Sequence, residues 1–222
     1  MSDRDPEPVF RPYSRGELIA DATVHVAGVL AAAIAVPILV VLAAVWHGSG
    51  GVMGAAAVYG TSMMAMLAFS ALYNMIERPS LKPLLRRLDH GAIYVKIAGT
   101  YTPFAVLAGG SAGVPILAAI WSAAAAGLLI VWTTPRGHKW MSLILYLAMG
   151  WAVAVMGGPM LAAMSDTAIG LIVAGGLLYT VGVVFHLWNR LRYQNAIWHA
   201  HVLVATVLFY IAVVLEVGRH AP

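Results

Sequence analysis

An all-α fold, a seven-transmembrane-helix bundle with its N-terminus cytoplasmic and its C-terminus outside, is what this sequence predicts, and three observations carry that reading. Of 222 residues, 61% are hydrophobic and only 10% charged, so the solvent for most of the surface is lipid rather than water. The apolar residues fall into seven separate stretches, each close to the roughly 20 residues of helix that a hydrocarbon core about 30 Å thick requires. The positive charges collect in alternate loops, as membrane topology demands.

The spans are read at residues 18–46, 52–75, 89–109, 114–132, 140–158, 168–187 and 196–217. Turn chemistry marks several breaks: His47-Gly-Ser-Gly-Gly51, Gly109-Gly-Ser-Ala-Gly113 and Thr134-Pro-Arg-Gly137. Residues 1–16 are polar and hold no apolar core, which distinguishes them from a cleaved leader and predicts a short cytoplasmic tail, with residues 17–222 as one membrane domain. No fixed-period repeat interrupts that domain, and Gly, Ala, Ser and Thr are available for close helix contacts.

Orientation follows from Lys and Arg. Arg4, Arg11, Arg15, Arg78, Lys82, Arg86, Arg87, Arg136, Lys139, Arg190 and Arg192 fall on one side, and only Arg219 on the other. The tail and the 2–3, 4–5 and 6–7 loops are therefore expected in the cytoplasm, in a bacterial cytoplasmic (inner) membrane. The net charge of +4 forms no basic stripe, so nucleic acid is not an expected partner. With no cysteine, the chain has neither disulfides nor thiolate metal ligands.

Polar groups inside spans are costly and mark sites or internal pairs. Glu17, Asp21 and His25 recur every four residues on one face of the first span. Ser70 and Asn74 share a face at the end of the second. Asp89 and His90 open the third, with Lys96 two turns further in, and Asn195 and His199 are spaced i,i+4 at the start of the seventh, with His201 beside them. The topology places all of them in the inner half of the bilayer. If spans 1, 2, 3 and 7 are neighbours, they line one polar cavity open to the cytoplasm.

Blander readings stand beside that one. Taken singly, Glu17, Asp21 and His90 are what helix ends ordinarily carry, since an acid near a helix start is favoured by the dipole. Lys96 can snorkel toward the helix start. His47, His186 and His220 lie at ends or in loops, where a structural role is the usual one.

Several strings are long enough to be distinctive. Phe69-Ser-Ala-Leu-Tyr-Asn74, Leu88-Asp-His-Gly-Ala-Ile-Tyr94, Ile97-Ala-Gly-Thr-Tyr-Thr-Pro-Phe104, Leu147-Ala-Met-Gly-Trp151 and Ala196-Ile-Trp-His199 resemble the bacterial hemolysin III proteins of the progestin and adipoQ receptor superfamily. The resemblance runs from Glu17 to Gly218. It implies seven helices with the tail inside, and a zinc ion near the cytoplasmic face held by one His of the second helix and two of the seventh. A helix 3 Asp and a helix 2 Ser would lie near the metal-bound water, giving a ceramidase-like hydrolase of lipid amides or esters. Zinc there lowers the pKa of water to about 7 and polarises a carbonyl.

Carried over residue by residue, Ser70 and Asp89 match the catalytic positions, if the protein is an enzyme, and His199 is the one surviving zinc ligand. Asn74 and Asn195 stand where the other two imidazoles are expected, and Phe209 occupies the place of a further His common in the bacterial proteins. A carboxamide oxygen is a poor zinc ligand, so the usual zinc site is expected to be degenerate. Lys96 falls where the resemblance implies an apolar residue. One expectation is that its ammonium replaces part of the metal's charge and pairs with Asp89, because a buried acid is tolerable only with a cation. Another keeps a metal on Asp21, Asp89 and His199, with weak help from Asn74 and Asn195.

Three functions follow. The favoured one is a non-catalytic protein that binds membrane lipids in the polar cavity (Glu17, Asp21, His25, Asn74, Lys96 and Asn195) and acts in lipid homeostasis or sensing, its protein partner unknown. The alternative is the metal-dependent lipid hydrolase, weakened by the two Asn residues. The third is a pore or transporter, for which the sequence shows no ring of charges and no broken helices. A retinal protein is excluded because the seventh span carries no Lys.

Overall fold

The structure, a computed structural model, describes residues 13–48, 50–134 and 139–221. Most of the tail, with Arg4 and Arg11, lies outside the described residues, as do Ser49, the Pro135–Gly137 turn with Arg136, and the side chain of Lys139. Among the described residues eight helices follow in order: α1 (Arg15–His47), α2 (Gly50–Met75), α3 (Lys82–Ala108), α4 (Gly110–Thr133), α5 (Lys139–Met156), α6 (Gly158–Leu161), α7 (Asp166–Leu187) and α8 (Gln194–Arg219).

Local chemistry fixes the boundaries. Ser14 is extended and caps α1: its hydroxyl accepts from the Glu17 N–H at 3.3 Å, while its own N–H donates to Glu17 Oε2 at 2.9 Å. This reciprocal box satisfies two amides that a helix start leaves open. Gly48, in the left-handed region at φ 57°, ends the helix. The third helix begins at Lys82, seven residues before its expected start, because Pro83 sits in the first turn where a missing N–H costs nothing. The expected five-residue break after it shrinks to Gly109 alone, at φ 68°. α4 then turns back so tightly that a Cβ at Gly113 would collide with the Ala105 carbonyl oxygen. The fifth expected span is also shorter, since Gly157 closes α5 and α6 forms a separate single turn.

Among the described residues five helices, α1, α2, α4, α7 and α8, are long and apolar enough to cross a membrane. The apolar part of α5, Trp140–Met156, is shorter. At 27 residues α3 is about 40 Å long, but Lys82, Arg86, Arg87, Asp89 and Lys96 make it less apolar. Packing explains how it tolerates them: α3 lies against α2, α4, α5 and α8, so its sides face protein instead of lipid. The rim helices do the opposite. Leu30, Ile34, Val41 and Val45 of α1 are exposed, as a lipid-facing stripe must be. α1 packs on α2 and α8, and α7 on α8.

At the end of the bundle remote from Ser14, Glu216 of α8 is 1% exposed and was not singled out in the sequence. Its Oε1 accepts from the Ser165 N–H at 3.0 Å and the Ser165 hydroxyl at 2.5 Å, while Ser165 itself caps α7. Arg219 donates to Glu216 Oε2 at 3.4 Å and to the Ala163 carbonyl at 2.9 Å. His47 meets the Val217 carbonyl at 2.7 Å and His220 the Glu216 carbonyl at 2.9 Å, so both serve helix ends. Glu216→Ala would leave the half-buried Ser165 donors without their carboxylate, and is expected to lower stability by about 1–3 kcal/mol. Denaturant unfolding in detergent checks this; an unchanged midpoint would mean that the latch carries no stability.

Candidate functional site

The start of α1, the end of α2 and the start of α8 meet at the Ser14 end of the bundle, and side chains from all three form one connected polar cluster. At its centre is Asp21, 8% exposed. Asp21 Oδ1 lies 2.7 Å from His199 Nδ1, and Oδ2 accepts from Asn195 Nδ2 at 2.9 Å. One turn along α1, His25 Nε2 lies 3.5 Å from Asp21 Oδ2. The His25 and His199 rings approach to 4.2 Å between centroids. Asn195 also donates to Asn74 Oδ1 at 3.1 Å, and Asn74 Nδ2 to the Ser70 carbonyl at 2.9 Å.

Glu17 belongs to the fold more than to this cluster. Its Oε1 accepts from the Tyr193 N–H at 2.9 Å, and Tyr193 is a left-handed non-glycine residue (φ 60°) at the start of α8. That conformation is strained for a residue with a side chain, and the carboxylate is what meets its amide.

A cavity of about 210 Å³ opens beside the cluster, between α2, α3, α5, α7 and α8. Ser70, Asp89, Lys96 and His199 are on its wall; Glu17, Asp21, His25, Asn74 and Asn195 are not. The expected polar cavity is therefore two adjoining things, a hydrogen-bonded cluster and a mostly apolar cavity with a polar edge, joined at His199. α5 and α7 supply much of the remaining wall, and His186 of α7, read in the sequence as an end residue with a structural role, lies on it. His90 lies on the same wall; its carbonyl accepts from Tyr146 at 2.9 Å.

Lys96 does not pair with Asp89. It is 4% exposed, and its Nζ donates to the Tyr179 hydroxyl at 2.8 Å while lying 4.7 Å from the Tyr179 ring centre and 4.9 Å from that of Phe209. Tyr179 in turn hydrogen-bonds Thr206 at 2.9 Å. The reason is lateral: partners on α7 and α8 meet the ammonium, whereas Asp89 is two turns away and has the Ser70 hydroxyl beside it. Two aromatic faces and one phenol oxygen stabilise the cation without a carboxylate. Tyr179 carried no sequence signal, because a tyrosine in an apolar span reads as packing.

Whether zinc fits the set that the sequence resemblance implies is decided by the amides. Asn74 Oδ1, the one atom it could offer a cation, already accepts from Asn195, whose NH2 is itself shared between Asn74 and Asp21. Two carboxamides committed to each other do not make a zinc site with His199. The expected set of Asp21, Asp89 and His199 does not assemble either. Among the described residues the three side chains with close donor atoms are Asp21, His25 and His199, within 4.8 Å of one another.

A helical membrane protein with a buried Asp–His cluster at one end of its bundle and an amphiphilic cavity beside it is thus the class that fold and site define. The chain matches the haemolysin-III related family model over residues 18–210 and belongs to that family. It is 37% identical to Hemolysin-3 of Bacillus cereus over 202 residues, covering 90% of this chain and 92% of the relative. The Hemolysin-3 homolog of Bacillus subtilis (strain 168) is 35% identical, with 89% and 92% covered. Human monocyte to macrophage differentiation factor is 29% identical over 166 residues, with 70% and 67% covered, which links the chain to the progestin and adipoQ receptor superfamily.

An ion pair and a π-held cation respond differently to Lys96→Met. Breaking a buried ion pair costs about 3–5 kcal/mol because the remaining charge is left uncompensated, whereas removing a cation held by aromatic faces leaves no charge behind. The variant is expected to unfold at the wild-type temperature or above it, with Tyr179 still bonded to Thr206; a large loss of stability would restore the pairing with Asp89.

Proposed function

We propose that the chain is a seven-span protein of the bacterial cytoplasmic membrane, tail inside, that binds a membrane amphiphile in the α3–α5–α7–α8 cavity and serves lipid homeostasis or lipid sensing. The observation that carries this reading is the cavity's asymmetry. Most of its wall is apolar, while Ser70, Asp89 and His199 cluster at one edge and Lys96 stands deeper. Apolar walls with a few placed polar groups are what a chain-and-headgroup ligand requires. The cavity lies between helices of an integral membrane protein, so the ligand can come from the bilayer itself. Placing the α1 start inside follows from Arg15, Arg78, Lys82, Arg86, Arg87, Arg190 and Arg192, which flank the helix ends at that side.

Catalysis is not part of the proposal. The amides of Asn74 and Asn195 are committed to each other and do not form, with His199, the ligand set that the resemblance implies for activating a water.

Trp151 and Trp198 line the cavity and give it an optical reporter. A brominated single-chain fatty acid in detergent is expected to quench part of the tryptophan fluorescence saturably. Gly176→Leu should abolish that part without unfolding the protein, since the atoms nearest a Cβ at Gly176 are those of the Trp151 ring, at an ordinary 3.5 Å. Quenching identical in wild type and variant would overturn the binding site. Ceramide or phospholipid incubated with purified protein is expected to survive; sustained turnover lost in Asp89→Asn would overturn the non-catalytic reading. Orientation is checked in a chain free of native cysteine. Ser80→Cys should react with a membrane-impermeant maleimide only in inside-out vesicles, and Ala221→Cys only in right-side-out ones.

A further inference from the structure

We infer that Asp21, His25 and His199 form a binding site for one divalent first-row cation, with two ligands from α1 and one from α8. The site shares only His199 with the zinc set implied by the resemblance, and α2 contributes nothing to it. It goes beyond the lipid-binding proposal and does not depend on it.

The geometry is that of a prepared donor set. The three side chains are 8%, 4% and 9% exposed, and one atom from each lies within 4.8 Å of the others. His25 Nε2 is fully buried and has no hydrogen-bond partner. A buried imidazole nitrogen without a hydrogen-bond partner requires an explanation. It lies 3.5 Å from Asp21 Oδ2. Two ligand atoms about 2.1 Å from a tetrahedral ion stand roughly 3.4 Å apart, so this spacing already suits coordination. On the other side, His199 Nδ1 is 2.7 Å from Asp21 Oδ1, a hydrogen-bond distance, and an ion seated there takes the proton's place with a widening of less than about 1 Å.

The surroundings favour a cation over a purely hydrogen-bonded cluster. Asn195 donates to Asp21 Oδ2 and holds the carboxylate in place, as partners outside a metal's own ligands commonly do. Two imidazoles and one carboxylate suit zinc or ferrous iron and leave a coordination position for water. His199 is on the cavity wall, so that position lies beside the space assigned to the amphiphile.

The test uses full-length protein purified without a polyhistidine tag, stripped with a chelator and titrated with Co2+ as a visible reporter and Zn2+ as its competitor. Wild type should take up about one Co2+ per chain with a tetrahedral ligand-field spectrum that Zn2+ abolishes. His25→Ala and Asp21→Asn should weaken binding by more than the roughly 10–100-fold typical of losing an outer partner, whereas Asn74→Ala stays within that range. His25→Cys covers the case in which His25→Ala does not fold. In a chain with no other cysteine, a thiolate-to-cobalt charge-transfer band can arise only from position 25. No cobalt spectrum in wild type, a spectrum untouched by His25→Ala, or no charge-transfer band in folded His25→Cys would each overturn the site.

Discussion

Inside a bilayer a polar group that finds no partner in its own chain finds none at all, and this bundle is organised around three carboxylates that meet that demand. Glu17 accepts from the Ser14 and Tyr193 amides. Asp21 accepts from Asn195 and faces His199. Glu216 accepts from Ser165 at the opposite end. Each ties α8, or the residue that begins it, to another element, so this helix is fixed at both ends by charge-assisted bonds that hydrocarbon cannot weaken by competition. The apolar face of α8, with Ala205, Ala212 and Val213 fully buried, then packs in a register that the ends have set.

That arrangement explains why the cavity forms where it does. With α8 held to α1 and α7, and α3 in the middle against α2, α4, α5 and α8, the space left over lies between α3, α5, α7 and α8. α5 is the shortest of the long helices and is followed by a break at Gly157, so it fills its side of the bundle less completely. The cavity is thus a consequence of helix lengths and latches, and its polar edge is the inner side of the same cluster that fastens α1 to α8.

Much of this was legible in the sequence because membrane topology is a strong constraint. The i,i+4 spacing of Glu17, Asp21 and His25 and that of Asn195 and His199 gave the faces, and the distribution of Arg and Lys put them at one level. Other features were present but unread. Ser14-Arg-Gly-Glu17 is a capping-box pattern, and Pro83 after Lys82 is a helix-start signal that moves the beginning of α3 outward. The partners of Lys96 were a different matter. Sequence spacing relates it only to residues of its own helix, such as Asp89, while Tyr179, Thr206 and Phe209 reach it across helix contacts. Glu216 escaped notice because an acid near a span end is unremarkable until its burial is known.

The departures from the expected motif also become intelligible as groups instead of single losses. Asn74 and Asn195 stand where imidazoles were expected, and they bond to each other, so both changes occupy one contact. Lys96 stands where an apolar residue was expected and Phe209 where a histidine was, and they too touch, the ammonium 4.9 Å from the ring centre. A lysine facing an imidazole there would set two groups that can both carry positive charge against each other; facing a phenyl ring it meets the negative face of a quadrupole. Electrostatics thus favours a phenyl ring beside Lys96. Positive charge sits in the cavity at Lys96, and the Asp21 cluster, at the polar edge, is where a carboxylate and two imidazoles remain together.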